Sequence, residues 1–599
     1  MNSWRSGLTW LLFRLPAIRL TLIWAAVIAC AWLLLTGLSV ERDARTAKEA
    51  AAALGVAIEH ADSPGITQAF NDLAEHLNSA HGRLHDPIWT VASRVPFLGR
   101  TPQALQALTE TANRTLPCLA PAVDGIARTP ASTQGSMSDP GVIRALADSA
   151  PCLSRAIPTV DSRLTRLNLH LVPGAVAQPV LRIRDLVTLV APAVLQDGKV
   201  ASLLPALLGY QGDRTWLLLL EQGAEARASG GYVGAVGLLH AHNGTLELRT
   251  LESNDALNAQ PIVGYETIVA DDDRLNFYGD DLSRLSDLDL SPDFPLSARL
   301  ARENYRQVRG FAPQGVIAMD EHALQELMRA AGPVRVVDTV VDAGHIVGYV
   351  ARDVYSVFRT MPYEAAVAEK DRRLHIIMQH VFRHLTGSGG ARLKALIAVG
   401  RASVDGRVAL WSADPAEQRQ IALSPLGRAV GRPGGPDIDT IAINGGGNKL
   451  DAYLQVSTDY QQRCHASGRA PELDIGVRLA NSAPSAGLPS YATERNDIGD
   501  RNPKVQGTSR TMLFIHVPAD STLLASSVDA VLTEPFATGE DAGRTVYRFN
   551  VLLPSKHQVE IRLRLHLPER FNRRAVRFGI QPRLLPVEQK VSYLGGCGK

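Results

Sequence analysis

The chain has 599 residues, 45% of them hydrophobic and 20% charged, with a formal net charge of +2. That length implies two to four domains with cores of their own and excludes a small disulfide-held scaffold. The charged share is too high for a multi-span membrane protein, and the near-neutral balance leaves no electrostatic footprint for nucleic acid.

In chain order the first element is "LTLIWAAVIACAWLLLTGLSV", Leu20 to Val40, which holds no charged side chain. At about 1.5 Å per residue it is long enough to cross a bilayer core of about 30 Å, so the sequence predicts one transmembrane helix in contact with lipid. Arg5, Arg14 and Arg19 precede it without an acid, whereas Glu41, Arg42, Asp43 and Arg45 cancel behind it. The positive-inside rule then predicts a single-pass cell-membrane protein, with residues 1–19 cytoplasmic and the bulk extracytoplasmic. A cleaved signal peptide would carry a shorter apolar region and a small-residue cleavage site.

Residues 41–200 read as a helical stalk or bundle. Ser63 followed by Pro64 is an N-cap signature, and Ile66, Phe70, Leu73 and Leu77 share one face behind it. Thr101-Pro102 and Asp139-Pro140 repeat the device, so several separate helices must bury their stripes on each other.

The period changes near residue 210, and residues 201–465 read as an α/β core. "TWLLLL", Thr215 to Leu220, is an apolar run of strand length, and "YVGAVGLLHA" and "TLELRTL" flank His242-Asn243-Gly244. Asn-Gly between two such runs predicts a tight hairpin, because both turn residues need positive φ. The strand "GVIAMD", the helix "EHALQELMRAAG" closed by Gly332-Pro333, two long amphipathic helices from about 343 to 386 and the strand "RVALWSA" follow. Residues 466–590 carry strands without helices: Val559, Ile561, Leu563, Leu565 and Leu567 alternate with polar neighbours, which predicts a β-sandwich. Residues 591–599 read as a flexible tail. The fold class is thus α+β and multidomain.

Cys30 falls in the predicted span, and Cys118, Cys152, Cys464 and Cys597 would lie in an oxidising compartment. Four cysteines allow three pairings. Cys118 and Cys152 each follow a Pro at the end of a helical stretch, which favours Cys118 with Cys152 and leaves Cys464 with Cys597, a pair whose second member sits in the tail.

Other candidate constellations are bland on inspection. Asp271, Asp273, Asp280 and Asp281 are acidic but lack the spacing of an EF-hand loop, and read as a solvated loop. His380 and His384 stand four apart near His375, yet "HVFRH" lacks the Glu of a metalloprotease helix. His240 and His242 share a strand face. Asn444, Lys449 and Asp451 sit in "NGGGNKLDAYL", whose glycine spacing does not fit a phosphate loop, so it reads as a turn into a last core helix.

The runs "LLLLEQGAEARASGGYVGAVGLLHAHNG", "SPDFPLSARLARENY", "GVIAMDEHALQELMRAAGPVRV", "GRVALWSADPAEQ" and "NKLDAYL" together resemble the domain-of-unknown-function family 4012, typical of actinobacterial and related envelope proteins. The order of the core elements is also similar, more distantly, to the LytR-CpsA-Psr phosphotransferases, which move glycopolymers from a polyprenyl pyrophosphate carrier. That likeness implies pyrophosphate held by arginines, with Arg227 and Arg372 or Arg373 in those places, and Mg²⁺ held by Asp. The chain departs from it twice: Gly230-Gly231 stand where an Asp is expected, and Asn254-Asp255 where Arg-Asp is expected. Losing such charges removes transition-state stabilisation, whereas Arg227 and the amides of Gly230 and Gly231 would still suffice to cradle an anion.

The resulting expectation is a membrane-anchored extracytoplasmic protein of cell-envelope or exopolysaccharide biogenesis, binding a lipid-linked or polymeric glycan without catalysis and without a cofactor. Two alternatives stand beside it. One is a divergent phosphotransferase acting on a polyprenyl-pyrophosphate-linked glycan and using Mg²⁺, with Arg227, Asp255, Arg372 and Arg373 at the ligand. The other is a non-catalytic scaffold.

Overall fold

The computed structural model describes residues 32–33, 35–57, 62–95, 99–127, 140–170, 172–181, 183–184, 203–385, 395, 398–403, 405–432, 435–465, 469–497, 505–595 and 597. They fall into two compact units, Met1–Ser202 and Leu203–Lys599.

In the first unit residues 35–57 are helical, followed by α1 (Ser63–Leu84), α2 (Pro87–Ala92), α3 (Arg100–Ala127) and α4 (Pro140–Thr165). The cap of α1 is Asp62 rather than Ser63: its carboxylate accepts from the Gly65 amide, with Pro64 in the first turn. Ala104 and Ala107 of α3 meet Val160 and Leu164 of α4 in a small apolar core. The Cys118–Cys152 disulfide ties the same two helices, as the sequence favoured.

The transmembrane expectation is corrected. Among the described residues no helix is long and apolar enough to cross a membrane, and residues 20–31 of the expected span lie outside the described residues. Its described end packs on protein: Val40 is buried with Leu84 and Trp89, and Thr36 Oγ1 accepts a hydrogen bond from Trp89 Nε1 at 2.8 Å. The single-pass placement, with its cytoplasmic N-terminus and extracytoplasmic bulk, loses its support with that span.

The second unit is built on β1 (Arg214–Arg227), with β2 (Gly230–His242), β3 (Thr245–Ser253), β4 (Gly315–Met319), a small hairpin of β5 (Val334–Val336) and β6 (Thr339–Val341), and β7 (Val408–Ser412). The main sheet runs β3-β2-β1-β4-β7. It is antiparallel throughout except for β1 and β4, which pair in parallel from Trp216 with Gly315 to Leu220 with Met319. Trp216, Leu217, Leu218 and Leu219 of the "TWLLLL" run are all buried, so this central strand is covered on both faces of the sheet. Asn243 and Gly244 take positive φ of 47° and 77°, closing the β2–β3 hairpin as expected.

α5 (Phe294–Arg309) packs Phe294, Leu300 and Tyr305 into the core that holds Leu217, Leu219 and Val316. α6 (Glu321–Ala331) starts where β4 ends, its amides at His322 and Ala323 donating to the Asp320 carboxylate. The two long helices expected from about 343 to 386 are instead a short helix at Ile346–Ala351, a 3-10 turn at Asp353–Arg359 and one long helix, α7 (Tyr363–Leu385). Met361-Pro362 accounts for the break, since the residue before proline avoids the helical region.

The remaining strands are β8 (Asp439–Asn444), β9 (Leu454–Arg463), β10 (Glu472–Asn481), β11 (Ser509–Pro518), β12 (Thr522–Val528), β13 (Val531–Leu532), β14 (Ala537–Asp541), β15 (Arg544–Leu553), β16 (Gln558–His566) and β17 (Glu588–Leu594). They form two sheets, β14-β15-β11-β8 and β13-β12-β16-β10-β9-β17. The alternation in β16 is used as written: Leu565, Leu563, Ile561 and Val559 lie opposite Leu473, Ile475, Val477 and Leu479 of β10, all buried. A 3-10 turn at Leu450–Tyr453 stands in place of the expected last core helix and feeds β9 directly. Cys464, just after β9, is disulfide-bonded to Cys597 beyond β17. The sandwich and the α/β sheet share a core, since Ile441, Ile443, Phe514 and Val546 cluster with Leu217 and Leu219.

Candidate functional site

The carboxyl end of β1 is where apolar burial gives way to buried charge. Arg227 is 4% exposed, and all five of its N–H groups are engaged. Nε donates to the Ser286 carbonyl at 3.1 Å, Nη1 to the carbonyls of Ala226 and Asn444 at 3.2 Å each, and Nη2 to Glu225 at 3.0 Å and Asp287 at 3.2 Å. A guanidinium with no donor left cannot clamp a phosphate. Glu225 also pairs with Lys449, whose ammonium lies 4.7 Å from the centre of the Tyr232 ring. Burial works against both charges, but Lys449 and Arg227 hold the Glu225 carboxyl below its usual value, and Glu225 holds Lys449 above its own. Asp451 accepts from the Ala226 amide at 3.2 Å, from Asn444 Nδ2 at 2.6 Å and from Arg583 at 2.6 Å. The phosphate-loop look-alike is therefore a brace between β1 and the sandwich.

The glycine pair has a backbone reason. Gly230 has φ of 149°, and a Cβ there would run into the Glu221 carboxylate. A Cβ on Gly231 would strike the backbone carbonyl of Gln222. Both lie at the irregular β1–β2 pairing, whose register shifts between Gln222 and Ala226.

The other expected site residues do not join Arg227. Asp255 is exposed and accepts a 2.8 Å hydrogen bond from Ser253 Oγ. Arg372 makes a two-pronged pair with Glu369 at 2.7 and 2.9 Å, and Arg373 Nε reaches the same carboxylate at 2.7 Å. Asp271 caps a short helix through the Arg274 amide, and Asp280 accepts from Tyr265. His380 and His384 are engaged with the carbonyls of Gly332 and His380. Among the described residues, the one His, Cys, Asp and Glu group spaced to hold a metal is Asp213 with His240 and His242.

What the sequence does not single out is a cavity of about 320 Å³ where the parallel pairing of β1 and β4 ends at Leu220 and Met319, roofed by α6 and α7. Such positions are where open α/β sheets hold ligands. Leu220, Ala235, Leu251, Met319, Leu324 and Met378 form apolar walls, with Ser253, Arg372 and His375 among the polar residues that line the rest. Glu221, Asp320 and Glu321 close its base. Ser229 Oγ lies 3.0 Å from both Glu221 and Asp289. One hydroxyl proton cannot serve two carboxylates, so one of the two acids keeps its proton and donates to the Ser229 oxygen. Burial pushes Glu221 well up, pushes Asp289 up to about 7, and raises Glu321, with Asp320 adding to it. The signal in the sequence is an acid directly after each run, Glu221 behind the leucines and Asp320-Glu321 behind "GVIAM".

Beyond the lining, Asp255 lies near Tyr363, which is 59% exposed beside Phe358 and Tyr491. The last two rings are stacked with centroids 4.2 Å apart. Residues 211–355 match the family described as protein of unknown function (DUF4012). Over that stretch the chain is similar to the DUF4012 family. The DUF4012 segment takes in β1 to β4, α5, α6 and the short helix at Ile346–Ala351, hence the base and one wall of the cavity, while α7 lies beyond it. No curated protein and no solved structure matches the chain, so the likeness to LytR-CpsA-Psr enzymes finds no support there.

Proposed function

We propose that the protein binds a lipid-linked glycan of cell-envelope or exopolysaccharide assembly and does not transform it. The observation that carries this reading is the apolar cavity where the parallel pairing of β1 and β4 ends. Each methylene moved from water onto such walls contributes about 0.8 kcal/mol. Ligand sites run from roughly 300 to 1,000 Å³, so a cavity of about 320 Å³ suits one stretch of a lipid tail. The polar head would then stay beside Ser253, Arg372 and His375, with sugar rings on the Phe358, Tyr363 and Tyr491 shelf. Phosphotransfer draws no support from these residues: the cavity base is made of buried acids, and Arg227 has no donor to offer a departing phosphate.

Titration of the whole protein with octyl, decyl and dodecyl maltoside below their micelle concentrations tests the reading without introducing a charged head. Affinity should rise with tail length until the cavity is full, and Met378→Trp and Ala235→Leu should each weaken the decyl ligand by about tenfold or more. Equal affinity for the three tails, or no loss in both variants, sinks the reading.

A further inference from the structure

A second, larger cavity of about 640 Å³ shares no lining residue with the first. It lies between the residues Pro425 to Arg432, the turn before β7 and the segment from Arg577 to Val587, and five arginines line it against two aspartates, Asp405 and Asp439. Three of these arginines already have acidic partners. Arg407 pairs with Asp320, Arg577 with Asp437 and Arg544 with Asp439.

The remaining donors carry the argument. Arg544 is 8% exposed, and two of its nitrogens, Nε and Nη2, are buried without a hydrogen-bond partner. Arg428 forms no ion pair among the described residues, and its Nη1 is likewise buried without a partner. Arg428 is half-buried, and a guanidinium withdrawn in part from water without an ion pair carries a desolvation cost that is not repaid. Its nearest acids are Glu221, Asp320 and Asp289: burial pushes Glu221 and Asp289 toward their neutral forms and Asp320 is paired with Arg407, so burial still holds Arg428 below the usual arginine value. The backbone adds a further cost, since Arg428 sits in the left-handed region at φ 45° and ψ 32°. Arg428 thus lines the cavity in a costly backbone conformation, with a buried N–H that has no partner and with no ion pair among the described residues.

We infer that this cavity is an oxyanion site, taking a phosphate- or carboxylate-bearing ligand that completes the hydrogen bonding of Arg428 and Arg544. Guanidinium forks match both kinds of oxyanion. The volume exceeds what a single inorganic ion fills, so the ligand carries more than one charged group or a charged group on a larger body. Water in the cavity would satisfy N–H groups but would not neutralise Arg428.

Calorimetric titration of the whole protein at constant ionic strength, with inorganic pyrophosphate in one arm and a short oligogalacturonate in the other, tests this. Saturable binding of either probe is expected, and the tighter of the two names the source, phosphate or uronate. Arg428→Gln should weaken that probe at least tenfold while leaving the denaturant midpoint of the unliganded protein unchanged or higher, because it removes an uncompensated charge. Ile580→Glu, an exposed change at the lip of the cavity, should weaken it severalfold without touching a buried group. Undiminished binding in Arg428→Gln and Ile580→Glu, a lowered midpoint for unliganded Arg428→Gln, or no saturable binding of either probe overturns the inference. Maltoside binding in the first cavity is unaffected in every case, so the two readings fail separately.

Discussion

Glu221, Ser229 and Asp289 form a chain in which two buried acids share one hydroxyl, and that chemistry makes stability depend on pH in an unusual direction. An ordinary paired carboxylate has a depressed folded pKa and loses its contribution in acid. Asp289 is raised by burial to about 7, so the folded protein keeps a proton that the unfolded chain releases above about pH 4. Stability from this group is therefore fully present below about pH 4 and declines as pH rises toward 7, with a slope of at most about 1.4 kcal/mol per unit. Between pH 5 and 7 the expected loss is about 2 kcal/mol. Urea unfolding at both pH values checks it: the wild-type decline should exceed that of Asp289→Asn, whose amide can donate to Ser229 without titrating. Equal declines would mean that the acid is ionised throughout. Arg227 shows the limit of a local signal at this scale. An arginine before two glycines is equally consistent with a clamp and with a brace, and the choice depends on Ser286, Asp287 and Asn444, which are distant in the chain.

At the level of elements, the β1–β2 pair is shaped by what cannot be added to it. Gly230→Ala meets the Glu221 side chain, which is the movable end of a residue, and takes a positive φ that costs about 1 kcal/mol. Gly231→Ala meets the backbone of Gln222, which cannot yield without opening the strand pair. The second variant should thus be the more destabilised, by about 2 kcal/mol or more relative to the first, as chemical denaturation would report, and an inverted order would show that the irregular pairing is soft. Elements whose signal is local were legible in advance: the Asn243-Gly244 hairpin, the alternation of β16 and the proline-led starts of α1 and α3. The stretch from 343 to 386 was legible only in its second half: two long helices were expected, but the first ends at Ala351 and gives way to a 3-10 turn that an amphipathic pattern does not distinguish from helix. The cavity was legible in part. Acids following Leu220 and Met319 mark where the apolar runs stop, but that β1 and β4 are adjacent and parallel is a property of the sheet. The roof residue Met378 belongs to a helix whose partner no periodicity names. Arg428 and Arg544 were invisible, since an unpaired buried donor is defined by what fails to surround it.

Across the whole molecule, two disulfides act on two separate units, which makes their contributions separable. Cys118–Cys152 closes 34 residues of the first unit, and Cys464–Cys597 closes 133 residues of the second. In the chain-entropy picture the longer loop constrains the unfolded chain more, giving about 5 kcal/mol against about 4 for the shorter. The size of the core in each unit works in the opposite direction. The helical unit rests on a small core around Ala104, Ala107, Val160 and Leu164, whereas the second unit has two extensive cores around Leu217 and Leu563. A smaller loss therefore matters more in the first unit. Cys152→Ser should lower only the first of two calorimetric transitions, and by a larger temperature shift than Cys597→Ser produces in the second. Reductant on the wild-type protein should reproduce both shifts together. A single transition that moves in both variants would mean that the units melt as one body, and the assignment of the helical unit as an independent folding unit would fall with it.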